Sequence, residues 1–127
     1  MPYEAEGIVH VDADELKNIL SDPENETIVI DVREPFEYIE GHIPGVPLIP
    51  MGEIPAYLHR LDKQKEYVFV CRSGNRSLLV AQYFKHHGFD KVRNLAGGML
   101  GWAYEIETGA ENIVDPSNLK RLERRSE

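Results

Sequence analysis

Two short runs in this chain, TIVIDV at residues 27–32 and YVFVC at residues 67–71, are almost entirely apolar. A strand with one face in water alternates apolar and polar residues, so an unbroken apolar strand must be covered on both faces. Strands of this kind are typical of a parallel sheet that has helices packed on either side. These two runs constrain the fold more than any other feature of the sequence.

Helical patterns alternate with these runs and with three further strand candidates, GIVHV (7–11), VPLIP (46–50) and KVRNL (91–95). The apolar spacing predicts helices over residues 12–22, 53–62, 77–88 and 97–109. Asp12 followed by Glu15 is a capping-box pattern, and Gly88 is a residue favoured just beyond a helix end. The order of elements predicts an α/β domain with a central parallel five-stranded sheet and helices on both faces.

The size and charge of the chain exclude several classes of protein. Its 127 residues suit one domain, and its net charge of −8 disfavours nucleic acid as a partner. A single cysteine with scattered histidines offers neither an internal disulfide nor a zinc site. The N-terminus lacks the pattern of a signal peptide, and no apolar run approaches the about 18 residues of a membrane span. A reducing, cytoplasmic setting is the simplest expectation, and the oligomeric state is left open.

The only cysteine, Cys71, stands where the apolar run 67–71 meets the polar segment RSGNRS. Ligands of open parallel sheets bind beyond the carboxyl ends of the strands, so the thiol should face such a crevice. Gly74 lets the following loop curl, and a curled loop before a helix turns its N–H groups inward. Residues 67–89 contain no acidic side chain, whereas Arg72 and Arg76 are basic. These features all favour a reactive thiolate over an inert buried cysteine.

Three separated segments, DVREPFEYIEGHIPGVPLIP (31–50), VFVCRSGNRS (68–77) and NLAGGMLGW (94–102), share one resemblance. They resemble, in order, the Asp-Val-Arg to Gly-His-Ile-Pro-Gly signature, the active-site loop and the C-terminal Gly-Gly to Trp motif of the rhodanese family of sulfurtransferases. The spacing fits one rhodanese-like domain over residues 5–108. Residues 109–127 are then a C-terminal tail, either a frayed end or a short basic helix. The resemblance implies a rhodanese-like fold with a central parallel five-stranded sheet, in agreement with the alternating pattern.

The resemblance also implies a sulfurtransferase mechanism. The Cys71 thiolate would take sulfur from a small anionic donor such as thiosulfate, a polysulfide or a persulfide, and would form a cysteine persulfide. A thiol, a protein acceptor or cyanide would then remove the sulfur, which is two-step covalent catalysis. No metal or organic cofactor is implied. The substrate-binding loop would comprise Arg72 and Arg76, which attract the donor, and the residues that shape the loop, Ser73, Gly74, Asn75 and Ser77.

Other residues receive structural interpretations. The resemblance makes Asp31 and Arg33 residues that brace the loop by structural ion pairing. His42 could be mistaken for a general base, but within GHIPG it is interpreted as a residue that anchors a turn. Met99 and Leu100 follow two glycines and are candidates for the pocket mouth. On the predicted last helix, Met99, Trp102 and Tyr104 are interpreted most simply as core residues.

Two alternative functions use the same residues. Dual-specificity phosphatases and arsenate reductases also place a cysteine and an arginine in a loop before a helix. Four residues separate Cys71 from Arg76 here, whereas the phosphatase loop is longer by one residue, which favours sulfur over a phosphoryl group. A regulatory or sulfur-relay binding module is the other alternative. The retained cysteine argues against a purely regulatory role, and the donor and acceptor are not encoded in any motif.

Overall fold

The structure is a computed structural model that describes residues 2–122 of the chain. Within those residues, one sheet contains five strands, namely β1 (Tyr3–Ala5), β2 (Ile8–Val11), β3 (Ile28–Asp31), β4 (Tyr67–Val70) and β5 (Val92–Leu95). Its α-helices are α1 (Ala13–Ser21), α2 (Pro35–Glu40), α3 (Ile54–Tyr57) and α4 (Asn75–His86). The strand order is β1-β2-β5-β4-β3, and every pairing is parallel except the antiparallel pair of β1 and β2.

The predicted α/β architecture is confirmed, but the sheet is mixed and one strand differs. Residues 46–50 form no strand, and Leu48 makes only isolated bridges, to Asp31 and Ile113. Pro47 and Pro50 have no N–H group to donate, so this segment cannot extend a ladder. The fifth strand is instead β1, which returns to β2 through a tight turn with positive φ at Glu6 and Gly7.

Both faces of β3, at one edge of the sheet, and of its neighbour β4 are covered, as their apolar sequences predict. All four residues of β3 and all four of β4 are buried. Phe69 belongs to a core cluster with Val80 and Phe84 of α4, whereas Val68 belongs to a separate cluster with Leu16 of α1. Alternate residues of β4 therefore serve two cores, one on each side of the sheet.

The helices that begin and end with clear capping residues are predicted well. The capping box of Asp12 and Glu15 is present at the start of α1. The helix α4 ends just before Gly88, which has a φ of 93°, but it begins at Asn75, two residues earlier than predicted. In the region 53–62, α3 is a single turn between 3-10 turns at Met51–Glu53 and Leu58–Arg60.

Two other regions depart from the sequence prediction. The helix predicted over residues 97–109 is wrong, because only a 3-10 turn forms there, at Gly98–Gly101. Gly97 and Gly98 have φ of 79° and 54°, so the backbone turns left-handed where a helix would have to start. The helix α2 was not predicted, although Pro35 and the reciprocal bonds of Glu34 and Glu37 mark its first turn.

The described part of the C-terminal tail packs on the domain. Asn112 accepts a hydrogen bond from the Leu48 N–H, and the Val114 N–H donates to the Leu48 carbonyl. Val114 and Leu122 are buried within the core cluster around Phe69. The expectation of a frayed end is therefore wrong for residues 109–122, where a 3-10 turn forms at Leu119–Leu122. The rest of the predicted basic helix lies outside the described residues, and the domain boundary at residue 108 stays a prediction.

None of the helices in the described part of the chain has the length and apolar character that crossing a membrane requires.

Candidate active site

The site lies at the carboxyl edge of the sheet, where two neighbouring strands end. Val70 of β4 is opposite Asp31 of β3, so Cys71 and the residues after Asp31 leave the sheet side by side. After Cys71 the chain turns at Gly74, which has a φ of 100° and stands at the N-terminal cap of α4. The predicted juxtaposition of the thiol with a curled loop and a helix N-terminus is therefore present.

The Cys71 thiol is buried but surrounded by hydrogen-bond donors. The Gly74 N–H donates to Sγ at 3.1 Å, and the Ser77 hydroxyl oxygen also lies 3.1 Å from Sγ. Burial raises the pKa of Cys71, but hydrogen bonds from Ser77, Gly74 and Ser73 outweigh that effect and hold the pKa below its ordinary value. A thiol with a lowered pKa has the thiolate character that a nucleophile needs.

The Gly97-Gly98 segment lies directly behind the Cys71 loop. The Met99 N–H donates to the Cys71 carbonyl at 2.8 Å, and the Leu100 N–H donates to the Arg72 carbonyl at 3.0 Å. A Cβ atom on Gly98 would overlap the Cys71 carbonyl oxygen. The backbones can approach this closely only because residue 98 has no side chain.

Gly98→Ala is therefore expected to destabilise the protein and distort the loop. The new methyl group meets backbone atoms, and φ at this position is left-handed, so the free energy of unfolding should fall by about 3 kcal/mol. The measurement is urea unfolding, with iodoacetamide alkylation of Cys71 as the report on the loop. Gly101→Ala is the matched control in the same segment, because its Cβ would meet nothing within 4 Å. Equal stability of the two variants would contradict the interpretation.

The two arginines of the loop have different environments. Arg76 donates two hydrogen bonds to the Glu37 carboxylate, at 2.8 and 2.9 Å. The Arg76 guanidinium lowers the pKa of Glu37 to about 2, so this carboxylate is ionised at neutral pH. Arg72 is exposed, and within residues 2–122 its side chain has neither a hydrogen bond nor an ion pair. Unlike Arg76, Arg72 therefore has a guanidinium that pairs with no other described side chain.

Asp31 and Arg33 form the buried ion pair that the sequence predicts. The Arg33 guanidinium donates to both carboxylate oxygens of Asp31, from Nε at 3.0 Å and from Nη2 at 2.9 Å. Nη2 also donates to the Gly41 carbonyl at 2.8 Å, which joins the end of β3 to the chain after α2. Burial raises the pKa of Asp31, and the Arg33 guanidinium opposes that rise.

His42 is engaged away from the thiol. Its Nδ1 donates to the Tyr38 carbonyl at 2.8 Å, and its Nε2 lies 3.3 Å from the Glu107 carboxylate. These contacts anchor the turn after α2, in agreement with the sequence interpretation. The core interpretation of Tyr104 is wrong, because this side chain is exposed and its hydroxyl donates to Asp14.

The remaining loop residues have mixed exposure. Ser73 and Asn75 are exposed, whereas Gly74 and Ser77 are buried. Met99 is partly buried against the core cluster of α1, and Leu100 is exposed beside the loop. The role of Met99 and Leu100 at the pocket mouth stays a prediction.

Three site residues were missed by sequence reasoning. Glu37 was missed because α2 was not predicted. Asn94 and His10 were missed because they lie inside strands, where their neighbours in sequence are apolar or solvent-facing. Asn94 Oδ1 is 2.5 Å from the Ser77 hydroxyl oxygen, and His10 is opposite Asn94 in the pairing of β2 with β5. A polar residue within a strand that must be buried is the signal that could have found both.

Comparison with known proteins decides the family. Residues 12–105 match the family model for the rhodanese-like domain. The chain belongs to the rhodanese-like family. This rhodanese-like chain is 49% identical over 89 residues to YtwF of Bacillus subtilis, an alignment that covers 70% of the chain and 84% of the relative. A protein of Allochromatium vinosum named Sulfurtransferase is 36% identical over 93 residues, which is 73% of this chain and 86% of that protein.

A solved structure confirms the fold. The crystal structure of a rhodanese-like domain protein from Staphylococcus aureus superimposes with a TM-score of 0.72 at 37% sequence identity. The match covers 80% of this rhodanese-like chain and 98% of the other. The resemblance drawn from three sequence segments is thus confirmed, and the relatives support a sulfur-transfer role at the level of the family. The donor, the acceptor and the cellular compartment stay predictions.

Proposed function

We propose that this protein is a sulfurtransferase that carries sulfane sulfur as a persulfide on Cys71. The observation that carries the proposal is the Cys71 sulfur itself, which accepts a hydrogen bond from the Gly74 N–H in a loop at the start of α4. N–H groups and a helix N-terminus stabilise negative charge on sulfur, both in the thiolate and in the persulfide that follows from it.

The proposed reaction has two displacement steps. In the first, the Cys71 thiolate attacks the outer sulfur of thiosulfate, an S–S bond forms to Cys71, and sulfite leaves with the electron pair of the broken S–S bond. In the second, an acceptor thiolate or cyanide attacks the outer sulfur of the persulfide, and the Cys71 thiolate leaves. Each step moves one electron pair from the attacking atom to the leaving group, so electrons balance. Because sulfite leaves before the acceptor reacts, ping-pong kinetics are expected.

The phosphatase alternative is less well supported by the site. Only four residues separate Cys71 from Arg76, and none of residues 72–77 is acidic. Glu37 is the carboxylate that pairs with Arg76, and with a pKa of about 2 it holds no proton to donate to a leaving group. Sulfur transfer needs no such acid, because sulfite and thiolates leave as anions.

The direct test is intact-protein mass spectrometry after brief exposure to thiosulfate and, in parallel, to polysulfide. A gain of one sulfur atom that cyanide removes would support the proposal. Absence of this adduct with both donors, in a protein whose Cys71 still reacts with iodoacetamide, would overturn it. Hydrolysis of an aryl phosphate by the same sample would then favour the phosphatase alternative.

Arg72→Gln is expected to weaken the binding of an anionic donor. An exposed cation contributes about 1 kcal/mol to attraction of a nearby anion, so KM for thiosulfate should rise about fivefold with little change in kcat. Steady-state kinetics with cyanide as acceptor measure this effect. Arg60→Gln is the matched control, since Arg60 is a surface arginine whose hydrogen bond goes to the Pro116 carbonyl. A similar KM for the two variants would contradict a role for Arg72.

A further inference from the structure

A chain of four buried polar side chains runs from the Cys71 sulfur across the sheet to β2. Ser77, Asn94 and His10 follow Cys71 in this chain, and the four side chains belong to residues that are at most 7% exposed. The Ser77 hydroxyl oxygen lies 3.1 Å from Cys71 Sγ and 2.5 Å from Asn94 Oδ1. Asn94 Nδ2 lies 3.1 Å from the Gly74 carbonyl and 3.3 Å from His10 Nδ1.

The acceptors at the His10 end of this hydrogen-bond chain fix the position of each proton. His10 Nε2 is 3.2 Å from the Ala5 carbonyl, which can only accept, so Nε2 carries the ring proton and Nδ1 is an acceptor. The Asn94 amide therefore points its NH₂ group at His10 Nδ1 and at the Gly74 carbonyl. Its Oδ1 atom is left facing Ser77, and an amide oxygen can only accept.

Two acceptors, Asn94 Oδ1 and the Cys71 sulfur, then lie within reach of Ser77, but the Ser77 hydroxyl has only one proton to donate. If the hydroxyl proton points at Asn94 Oδ1, Ser77 can only accept from a Cys71 S–H group. If the proton points at a Cys71 thiolate, two oxygen atoms of Ser77 and Asn94 face each other at 2.5 Å without a proton between them. Turning the Asn94 amide would relieve this repulsion only at the loss of its bond to the Gly74 carbonyl.

We propose that Asn94 is a positioning residue that competes with Cys71 for the single hydroxyl proton of Ser77 and thereby limits stabilisation of the thiolate. His10 maintains this competition, because its Nδ1 atom keeps the amide oxygen of Asn94 directed at Ser77. Asn94 does not contact the sulfur, and it acts on Cys71 only through Ser77.

Charged groups of the neighbouring elements lie at the same edge of the sheet as Cys71, and substitution of Asn94 leaves them in place. In the described part of the chain these are the loop arginines, the partner of Arg76 on α2 and the ion pair at the end of β3, namely Arg72, Arg76, Glu37, Asp31 and Arg33. Their contribution is common to all the variants compared below, so differences between variants report on the hydrogen-bond chain.

The test is the rate of iodoacetamide alkylation of Cys71 as a function of pH. Ser77→Ala removes a donor to the sulfur and should move the midpoint of the profile up by about one pH unit. Asn94→Leu removes the competing acceptor, frees the Ser77 proton for Cys71 and should move the midpoint down by a similar amount. Circular dichroism verifies folding, and Asn94→Ala makes the same deletion if the larger leucine prevents folding.

The double variant separates this role from a structural one. In the Ser77→Ala background, Asn94→Leu should leave the midpoint unchanged, because there is no hydroxyl proton left to redirect. An upward or absent shift in Asn94→Leu alone, or an equal downward shift in both backgrounds, would overturn the proposal. Alkylation does not depend on persulfide formation, so this outcome is independent of whether sulfur transfer is the function.

Discussion

Replacement of Cys71 by alanine is expected to abolish the transfer of sulfur from thiosulfate to cyanide, with kcat/KM falling at least about a thousandfold. Cys71 is the only cysteine in the sequence, so the site has no second thiol. The proposed intermediate is a covalent bond to this sulfur, so no other group can take over a slower version of the same route. Thiocyanate formation measures the rate, and mass spectrometry shows whether the sulfur adduct disappears with it.

Cys71→Ser provides the control for folding in the same experiment. The serine hydroxyl preserves the size of the side chain and can accept from the Gly74 N–H, but it stays protonated at neutral pH and forms no persulfide. Both variants should retain the far-ultraviolet circular dichroism of the parent. If either variant kept a tenth of the parental activity, Cys71 would not be the sulfur carrier.

Arg33→Met should produce the largest loss of stability, about 3–5 kcal/mol in the free energy of unfolding. The Asp31 carboxylate is completely buried, and Arg33 supplies its charge partner and donors to both oxygens. Methionine fills similar space but leaves this buried charge unpaired. Urea unfolding at neutral pH measures the loss.

Arg93→Met is the matched control, because Arg93 makes a comparable contact with Glu66 in a setting where the Glu66 side chain is 56% exposed. Water solvates the carboxylate that remains there, so the loss should be less than about 1 kcal/mol. Equal losses at the two positions would contradict the importance of burial.

The Arg33→Met defect should also depend on pH. Burial already raises the pKa of Asp31, and removal of Arg33 removes the group that opposes this rise. A group with a higher pKa in the folded state than in the unfolded state binds its proton more tightly when folded, so stability rises as pH falls through the folded pKa. The difference between variant and parent should therefore shrink as the pH is lowered from neutral. A difference that grew on acidification would contradict this account.

The sequence by itself determined the α/β class, the position of Cys71 at the end of a buried strand and the polar loop that follows it. Unbroken apolar runs such as 67–71 indicate strands that are covered on both faces, and in a parallel sheet a polar loop between such a strand and the following helix lies at the carboxyl edge. The capping box of Asp12 and the glycine after α4 were also readable, because these signals act between residues close in sequence.

Only the tertiary structure decided the contacts that join distant segments. Residues 46–50 have the composition of a strand, but their prolines and the return of residues 112–114 make them a bridged loop. Gly98 was readable as part of a motif, yet its function in the fold depends on the Cys71 carbonyl lying where a Cβ atom would be. The pairing of Arg76 with Glu37 and the chain from Ser77 to His10 likewise need three-dimensional proximity. Side-chain hydrogen bonds of this kind depend on the angles and distances between elements that are far apart in sequence. Local sequence patterns do not specify that geometry.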